Sequence, residues 1–293
     1  MILGIDVRDD SIAAVGIDEE GTVIARVTRP GATPAAVVDT IRDIGGGAST
    51  GVGVAVRDPA DPGATDIVAA AAGAARAREA PRVVTRGAAL ALAEQWLGAA
   101  RGARHVVAIS ATDDIHAGIV IDGRIFGGAH GFAGAAGWLA LNPVERDDYH
   151  RLGCLEAEIG RNAIVRKLVW RIKAGDDSDV LEIAGGQLAD ITVPHVFDAA
   201  RRGDGVAIAV VRDTARYIGM AISNFVAILD PDVIVLGGVI AEAADLLLEP
   251  SRAEAARRVS AAVASTLQIV PAMLGDEAPA LGAARAALLD RHR

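Results

Sequence analysis

The residues of this chain that could do chemistry stand in two acidic loops, each next to an apolar run typical of a buried strand. The first loop is Arg8-Asp9-Asp10-Ser11, which follows Asp6 and Val7, and the second is Thr112-Asp113-Asp114. Hard cations favour clustered carboxylates, so either loop could hold a metal ion. Acidic residues between strands are also common in ordinary solvated turns, and we predict turns here rather than metal sites.

A pair of glycines marks the best candidate for a binding edge. Gly237 and Gly238 follow Val233-Ile234-Val235-Leu236, which is continuously apolar, as expected of a parallel strand buried on both faces. Pro231 stops the long helical pattern that precedes this strand. Ligands of α/β proteins bind at the carboxyl ends of parallel strands, and glycine lets the backbone approach them closely. We therefore predict a ligand-binding edge at these two glycines.

The elements that must position these loops occur in the same order twice. Each half reads as three strands followed by alternating helices and strands, and the first half ends near Arg104. Thr33-Pro34 is a helix start, and Asp122-Gly123 is a hairpin turn. This duplication predicts an α/β fold of two domains that face each other across a cleft. We place the first domain at 1–104 plus 280–293 and the larger second domain at 105–279.

Composition excludes several classes of protein. The chain of 293 residues is 52% hydrophobic but only 3% aromatic, so its core must consist mainly of Ala, Val, Ile and Leu. A net charge of −9 argues against a nucleic-acid-binding surface as the main feature. The single cysteine, Cys154, excludes an intramolecular disulfide and a thiol-rich metal site. The start reads as a strand rather than a signal peptide, and the run from Ile67 to Ala75 is too short to span a bilayer. We expect a cytoplasmic protein with no membrane partner.

Six segments carry a resemblance to a known family: Gly131-Phe132-Ala133-Gly134, Gly153-Cys154-Leu155-Glu156, Pro194 to Asp204, Tyr217-Ile218-Gly219, Leu229 to Gly238 and Leu274 to Ala284. Together they resemble the ROK family of bacterial sugar kinases, transcriptional repressors and uncharacterised relatives. The resemblance covers nearly the whole chain and is most specific from Asp198 to Gly238. It implies the two-domain actin-like ATPase (ribonuclease H-like) fold, with a cleft between the domains.

The phosphate loops of the kinases are altered here. Family kinases place Gly-Gly-Thr-Lys after the Asp that matches Asp6, and Arg8 and Asp9 replace two of those glycines. Their second loop, Gly-Thr-Gly-Ile-Gly, is Thr112-Asp113-Asp114-Ile115-His116 in this chain. Phosphate loops need backbone N–H groups that are open to the ligand, and added carboxylates repel a triphosphate. By resemblance alone, the positions left for nucleotide binding are Asp6, Gly118, Gly237 and Gly238.

The position of the catalytic base holds an arginine. Family kinases use an Asp in a Glu-Asn-Asp-x-Asn motif to take the proton from the sugar hydroxyl, and Ala91-Leu92-Ala93-Glu94 matches the helix after that motif. This register places Arg86 where the Asp belongs, and no carboxylate lies between Pro81 and Ala93. A guanidinium stays protonated and cannot accept a proton at neutral pH. We therefore predict that the chain has no catalytic residue.

The zinc and sugar positions also differ from the family pattern. The family reads Ala-Gly-Glu-Ile-Gly-His where this chain has Ala133 to Trp138, and only Cys154 remains of its cysteine motif. With His150 as the one further ligand in view, four zinc ligands cannot be assembled, so we expect no zinc. We predict instead that Trp138, Tyr149 and Cys154 fill the space and that His150 lies at the surface.

Glu156 matches a glutamate with which family members contact sugar, and it could still touch a ligand. A glutamate near a helix N-terminus is equally well explained by the helix dipole. An arginine in the cleft, such as Arg86, could recognise an anion such as a carboxylate or a phosphosugar.

We favour a pseudoenzyme over two alternatives. The favoured hypothesis is a homodimeric, non-catalytic pseudo-sugar-kinase that binds a small sugar-like or anionic ligand or regulates a partner, with no cofactor. The first alternative is a divergent ATP-dependent sugar kinase with a different base, which would need ATP and Mg²⁺. The second is a relative of the repressors that lacks their helix-turn-helix domain. The chain begins directly on its first predicted strand, so we expect no direct DNA binding.

Overall fold

In the computed structural model, which describes residues 1–112 and 114–290, ten strands form two five-stranded sheets. The strands are β1 (Ile2–Val7), β2 (Ser11–Ile17), β3 (Val23–Pro30), β4 (Gly51–Val56), β5 (Arg82–Thr85), β6 (Val106–Ala111), β7 (Ile115–Ile121), β8 (Arg124–Ile125), β9 (Val233–Gly238) and β10 (Gln268–Pro271). The first sheet has the order β3-β2-β1-β4-β5, and the second has the order β8-β7-β6-β9-β10. The two orders correspond strand for strand, in agreement with the duplicated sequence pattern.

The helices of the described residues lie between these strands or follow the last of them. They are α1 (Pro34–Asp43), α2 (Pro62–Ala75), α3 (Arg86–Leu97), α4 (Tyr149–Leu152), α5 (Cys154–Ile159), α6 (Arg161–Lys173), α7 (Val180–Ile183), α8 (Val193–Arg202), α9 (Gly205–Leu229), α10 (Val239–Glu242), α11 (Ala244–Ala256), α12 (Ala261–Thr266) and α13 (Ala278–Asp290). In the described part of the chain, no helix combines the length and apolarity needed to cross a membrane.

The first sheet brings the ends of three strands to one edge. Strand β1 pairs in parallel with β4, and β4 pairs in parallel with β5, whereas β1 and β2 are antiparallel. Asp6 lies near the carboxyl end of β1, and Thr85 ends β5. The Thr85 hydroxyl accepts a hydrogen bond from the Ala88 N–H and so caps α3, which begins at Arg86. The parallel register therefore places Asp6 and Arg86 at the same edge of the sheet, although 80 residues separate them.

Helix α13 packs unusually close to β1 and β4 because these strands carry glycine at the contact. A Cβ added to Gly4 would lie 1.9 Å from the Ala280 carbonyl oxygen, and one added to Gly53 would lie 1.8 Å from that of Ala283. No side chain fits at either position, so the two glycines are needed for the packing of this helix on the sheet.

The core is aliphatic, which confirms the prediction from composition. Around the first sheet the fully buried side chains come from both strands and helices, and they include Leu3, Ile5, Ile12, Val37, Ile41 and Val54. Burial of such side chains stabilises the fold by about 25 cal/mol for each Å² of apolar surface that leaves water.

Two helical segments differ from the sequence predictions. The sequence pattern alone favours a helix from Asp66 to Arg78, but α2 begins at Pro62 because the Asp61 carboxylate accepts hydrogen bonds from the Gly63 and Ala64 N–H groups. The sequence pattern also favours one helix from Ala241 to Ala264, whereas the structure has α10, α11 and α12 in this region, and the Ser260 hydroxyl caps the last of these.

Contacts between Cα atoms divide the chain into two compact units. Unit 1 comprises Met1–Ala108, Ala117–Gly134 and Ala272–Arg293, of which residues 291–293 lie outside the described part. Unit 2 comprises Ile109–His116 and Ala135–Pro271. The predicted domains, 1–104 plus 280–293 and 105–279, place residues 105–108, 117–134 and 272–279 differently, and those boundaries stay a prediction.

Candidate functional site

In unit 1, Asp6 lies between two arginines. Its Oδ1 accepts a hydrogen bond from Arg86 Nε at 2.8 Å, and its Oδ2 accepts one from Arg8 Nε at 2.9 Å. The Asp6 side chain is fully buried, and only 9% of the Arg86 side chain is exposed. A buried carboxylate is stable only when it is paired and hydrogen-bonded, and these two guanidinium groups meet that condition.

Arg8 is held in place on both sides. Its Nη2 donates to the Asp276 carbonyl oxygen at 2.7 Å, while its Nε donates to Asp6. Burial alone would lower the pKa of the Arg8 guanidinium, but the hydrogen bond and charge of Asp6 outweigh burial and raise the pKa above its usual value. Arg8 is therefore a permanent cation at a position where family kinases have glycine.

The acids of the first loop make contacts typical of a turn. Asp9 accepts a hydrogen bond from Arg57 Nη2 at 2.8 Å at the surface, and Asp10 accepts one from the Ser11 hydroxyl at 2.8 Å. The Arg8 N–H donates to the Ser11 carbonyl oxygen at 2.9 Å and closes the loop between β1 and β2. These side chains are engaged within their own loop or with a neighbouring arginine.

Gly118, one of the predicted nucleotide-binding residues, packs against the start of α3. A Cβ on Gly118 would lie 1.9 Å from the Gly87 carbonyl oxygen, and a Cβ on Gly87 would lie 2.3 Å from that of Ala117. Gly118 therefore contacts the residue that follows Arg86. Unit 1 thus brings together three residues singled out in the sequence, Asp6, Arg86 and Gly118.

In unit 2, the predicted residues Gly237, Gly238 and Glu156 lie around the ends of β6 and β7. Gly237 is buried in β9, and Gly238 ends that strand with a φ of +63°. A Cβ on Gly238 would lie 1.9 Å from the Ala111 carbonyl oxygen at the end of β6. The packing of β9 against β6 therefore requires glycine at this position.

The Glu156 carboxylate accepts a hydrogen bond from the Ile115 N–H at the start of β7. Arg161 Nε donates to the Thr112 carbonyl oxygen at 3.0 Å, and His116 Nδ1 lies 3.2 Å from an Asp114 carboxylate oxygen. The acidic residue between Thr112 and Asp114 is Asp113, which lies outside the described residues. Glu156 therefore helps to hold the loop that corresponds to the second phosphate loop of family kinases.

The segment that corresponds to the family's zinc motif contains a buried ion-pair network. Glu158, with 4% of its side chain exposed, accepts hydrogen bonds from the Tyr149 hydroxyl and from Arg146 Nη1 at 3.2 Å, and it pairs with Lys167 Nζ at 2.8 Å. Asn142 Nδ2 donates to the Tyr149 oxygen at 3.1 Å. Burial and the hydrogen bond to Glu158 raise the pKa of Tyr149 well above its usual value, so this phenol stays protonated.

The predictions for this segment hold except at Trp138. Tyr149 and Cys154 are buried and His150 is exposed, as expected. The expectation that Trp138 fills the same space is wrong, because 51% of it is exposed. Trp138 ends a 3₁₀ turn in which the small residues Ala136 and Gly137 are buried, and this leaves the indole directed outward. Within residues 1–112 and 114–290, no group of three or more His, Cys, Asp or Glu side chains could hold a metal ion.

Sequence reasoning did not identify the partners of Asp6 or the network of Glu158. The available signal for Glu158 was a second carboxylate beside Glu156 in the short and otherwise apolar helix Cys154–Ile159. A buried carboxylate needs a cation, but the sequence does not indicate which of the chain's 29 lysines and arginines supplies it.

Comparison with known protein sequences finds one family model and several relatives that are similar to this chain. A sequence model of the ROK family matches residues 2–290. A glucokinase of Thermotoga maritima is 31% identical over 198 residues, which are 67% of this chain and 62% of that protein. The match thus spans less than two thirds of that glucokinase.

Two solved structures have the same fold as this chain. A ROK family glucokinase from Streptomyces griseus, in complex with glucose and AMPPNP, superimposes with a TM-score of 0.80 at 23% identity over 98% of both chains. A ROK family transcriptional regulator, a homologue of the E. coli MLC protein, superimposes with a TM-score of 0.83 at 22% identity over 99% of this chain and 78% of the regulator. The predicted actin-like ATPase fold is thereby confirmed.

Proposed function

Since this chain belongs to the ROK family, we propose that it is a member without sugar kinase activity, which binds a small sugar-like or anionic ligand in a sensing or regulatory role. One observation carries this proposal. The residue at the expected position of the catalytic base, Arg86, is buried and forms an ion pair with Asp6.

Sugar phosphorylation needs a group that takes the proton from the attacking hydroxyl. An arginine side chain has no acceptor and stays charged, and loss of a general base costs on the order of 10²–10⁴ in rate. The pairing of Asp6 with both Arg8 and Arg86 supports the same conclusion, because this carboxylate already has two partners within its own unit. Arg8 also puts a side chain where a phosphate loop has exposed backbone N–H groups.

We expect no phosphorylation above background when the full chain is incubated with ATP, Mg²⁺ and a panel of hexoses and N-acetylhexosamines. ATP binding and hydrolysis, measured in the same titration, should also be absent. A glucokinase with known activity, assayed in the same mixtures, shows that the assay can detect turnover. Phosphorylation of any sugar by this chain at a rate proportional to its concentration would contradict the proposal.

The similarity to a glucokinase supports the main alternative, a divergent ATP-dependent sugar kinase that uses another base, and the same assay decides between the two. The structural likeness to a transcriptional regulator supports a regulatory role. A mobility shift with specific DNA would point to that role and contradict the expectation of no direct DNA binding. The proposal has three further parts. The chain forms a homodimer, it uses no ATP, Mg²⁺ or zinc as a cofactor, and it is located in the cytoplasm.

A further inference from the structure

A cavity of about 640 Å³ in unit 2 is formed by residues that none of the family motifs includes. In the described part of the chain, four cations from α6 and from the segment before α4 line it, and each of them pairs with a carboxylate: Arg146, Arg166, Lys167 and Arg171. Among the described residues, its lining includes one carboxylate, Asp213, which is paired with Lys167. The volume lies within the range of about 300–1,000 Å³ that is typical of small-molecule sites.

The cations of this cavity are oriented by carboxylates that do not line it. Asp148 forms hydrogen bonds with Arg146 Nε at 3.1 Å and Nη2 at 2.8 Å and lies 3.2 Å from Arg166 Nη2. The buried Glu158 holds Lys167 at 2.8 Å. A second bond, from Arg166 Nη2 to the Ala157 carbonyl oxygen at 2.7 Å, fixes Arg166 further. Fixed guanidinium groups lose little side-chain entropy on binding, so these carboxylates prepare the arginines to receive an anion.

The lining also has an apolar side. Trp170, on the same helix as three of the cations, is 72% exposed, and Val210 of α9 is part of the lining as well. An exposed indole next to a group of cations suits a ligand with a ring on one side and a negative charge on the other.

We propose that this cavity binds a small phosphate monoester, with its phosphate on Arg146, Arg166 and Arg171 and its organic ring packed on Trp170. Phosphate fits the planar fork of arginine, and a dianion can accept hydrogen bonds from several guanidinium groups at once. Burial alone would lower the pKa of Arg146, but the charge of Asp148 outweighs it and raises the pKa, so Arg146 stays charged. The site does not depend on the proposed lack of kinase activity.

Calorimetric titration of the full chain with inorganic phosphate, glycerol 3-phosphate, phenyl phosphate and glucose tests the proposal. We expect one site for the three phosphates, none for glucose, and tighter binding of phenyl phosphate than of inorganic phosphate. The double variant Arg166→Gln/Arg171→Gln should bind phenyl phosphate at least about tenfold more weakly, because two charge-assisted hydrogen bonds are lost. Lys173→Gln removes a positive charge from the same helix outside the cavity and should change the affinity less than about twofold.

A further variant tests the packing of the ring on Trp170 separately from the binding of the phosphate. Trp170→Ala should abolish the preference for phenyl phosphate over inorganic phosphate while phosphate still binds. Thermal unfolding checks that each variant is folded. If the double variant is not folded, the single variant Arg171→Gln replaces it in the titration, because the partner of Arg171, Asp176, lies at the surface. Absence of phosphate binding at millimolar concentrations, or equal weakening by Lys173→Gln, would overturn the site. Equal affinity for phenyl and inorganic phosphate in the unaltered chain would overturn the role of Trp170.

Discussion

Replacing Asp6 with alanine is expected to lower the free energy of unfolding by about 3–5 kcal/mol, because Arg86 then becomes a buried cation without a counter-ion. Arg86 Nε lies 2.8 Å from Asp6 and Arg8 Nε lies 2.9 Å from it, so one substitution removes the partner of two guanidinium groups. Arg86 also begins α3, so the loss should disturb the start of that helix. Urea denaturation, followed by far-ultraviolet circular dichroism, measures the change.

Two further variants determine whether the unpaired charge of Arg86 causes the loss of stability in Asp6→Ala. Asp9→Ala breaks an exposed pair with Arg57 and should cost less than about 1 kcal/mol. Adding Arg86→Met to Asp6→Ala removes the unpaired buried charge and should recover part of the lost stability, since an apolar side chain can replace a buried ion pair at little cost. A cost for Asp6→Ala no greater than that for Asp9→Ala would contradict the importance of this buried pair.

Gly238→Ala is expected to lower the free energy of unfolding by at least about 3 kcal/mol, since the new Cβ meets both steric overlap and backbone strain. The residue has a φ of +63° and a ψ of −143°, a combination that essentially only glycine adopts. The Cβ would also lie 1.9 Å from the Ala111 carbonyl oxygen, so β6 and β9 would have to separate locally. The midpoint of thermal or urea unfolding gives the effect.

Gly275→Ala is the matched control for this substitution. Gly275 also has a positive φ, +55°, but no atom lies within 4 Å of the place where its Cβ would stand. The control should therefore show the backbone strain alone, about 1 kcal/mol. If Gly238→Ala costs no more than Gly275→Ala, the close approach to Ala111 is not a constraint, and a role of Gly238 in ligand binding becomes the better explanation for glycine at this position.

Arginine at position 86 changes the sign of a key charge in unit 1. By the resemblance, family kinases have Asp at the positions of both Asp6 and Arg86, whereas this chain joins a carboxylate to a guanidinium there. A buried, hydrogen-bonded pair is a structural element that holds the end of β1 to the start of α3. This gives a physical basis for retention of the fold in a member that has arginine at this position, because the aliphatic packing of strands and helices does not depend on the chemistry of the loops.

The sequence by itself determined the elements whose signals are local. Apolar periodicity identified the 25-residue helix α9, and Thr33 and Pro34 marked the start of α1. The repeated strand and helix signals predicted two similar α/β halves. These features depend on residues within a few positions of one another, so a single sequence is sufficient to reveal them.

Only the tertiary structure decided which charged groups meet. Asp6 and Arg86 are 80 residues apart, and nothing local to either residue indicates the other. The outward position of Trp138 and the pairing of Glu158 with Lys167 likewise depend on how neighbouring elements pack. A buried charge requires a partner, but the partner is selected by strand register and helix packing, which form only when distant parts of the chain come together.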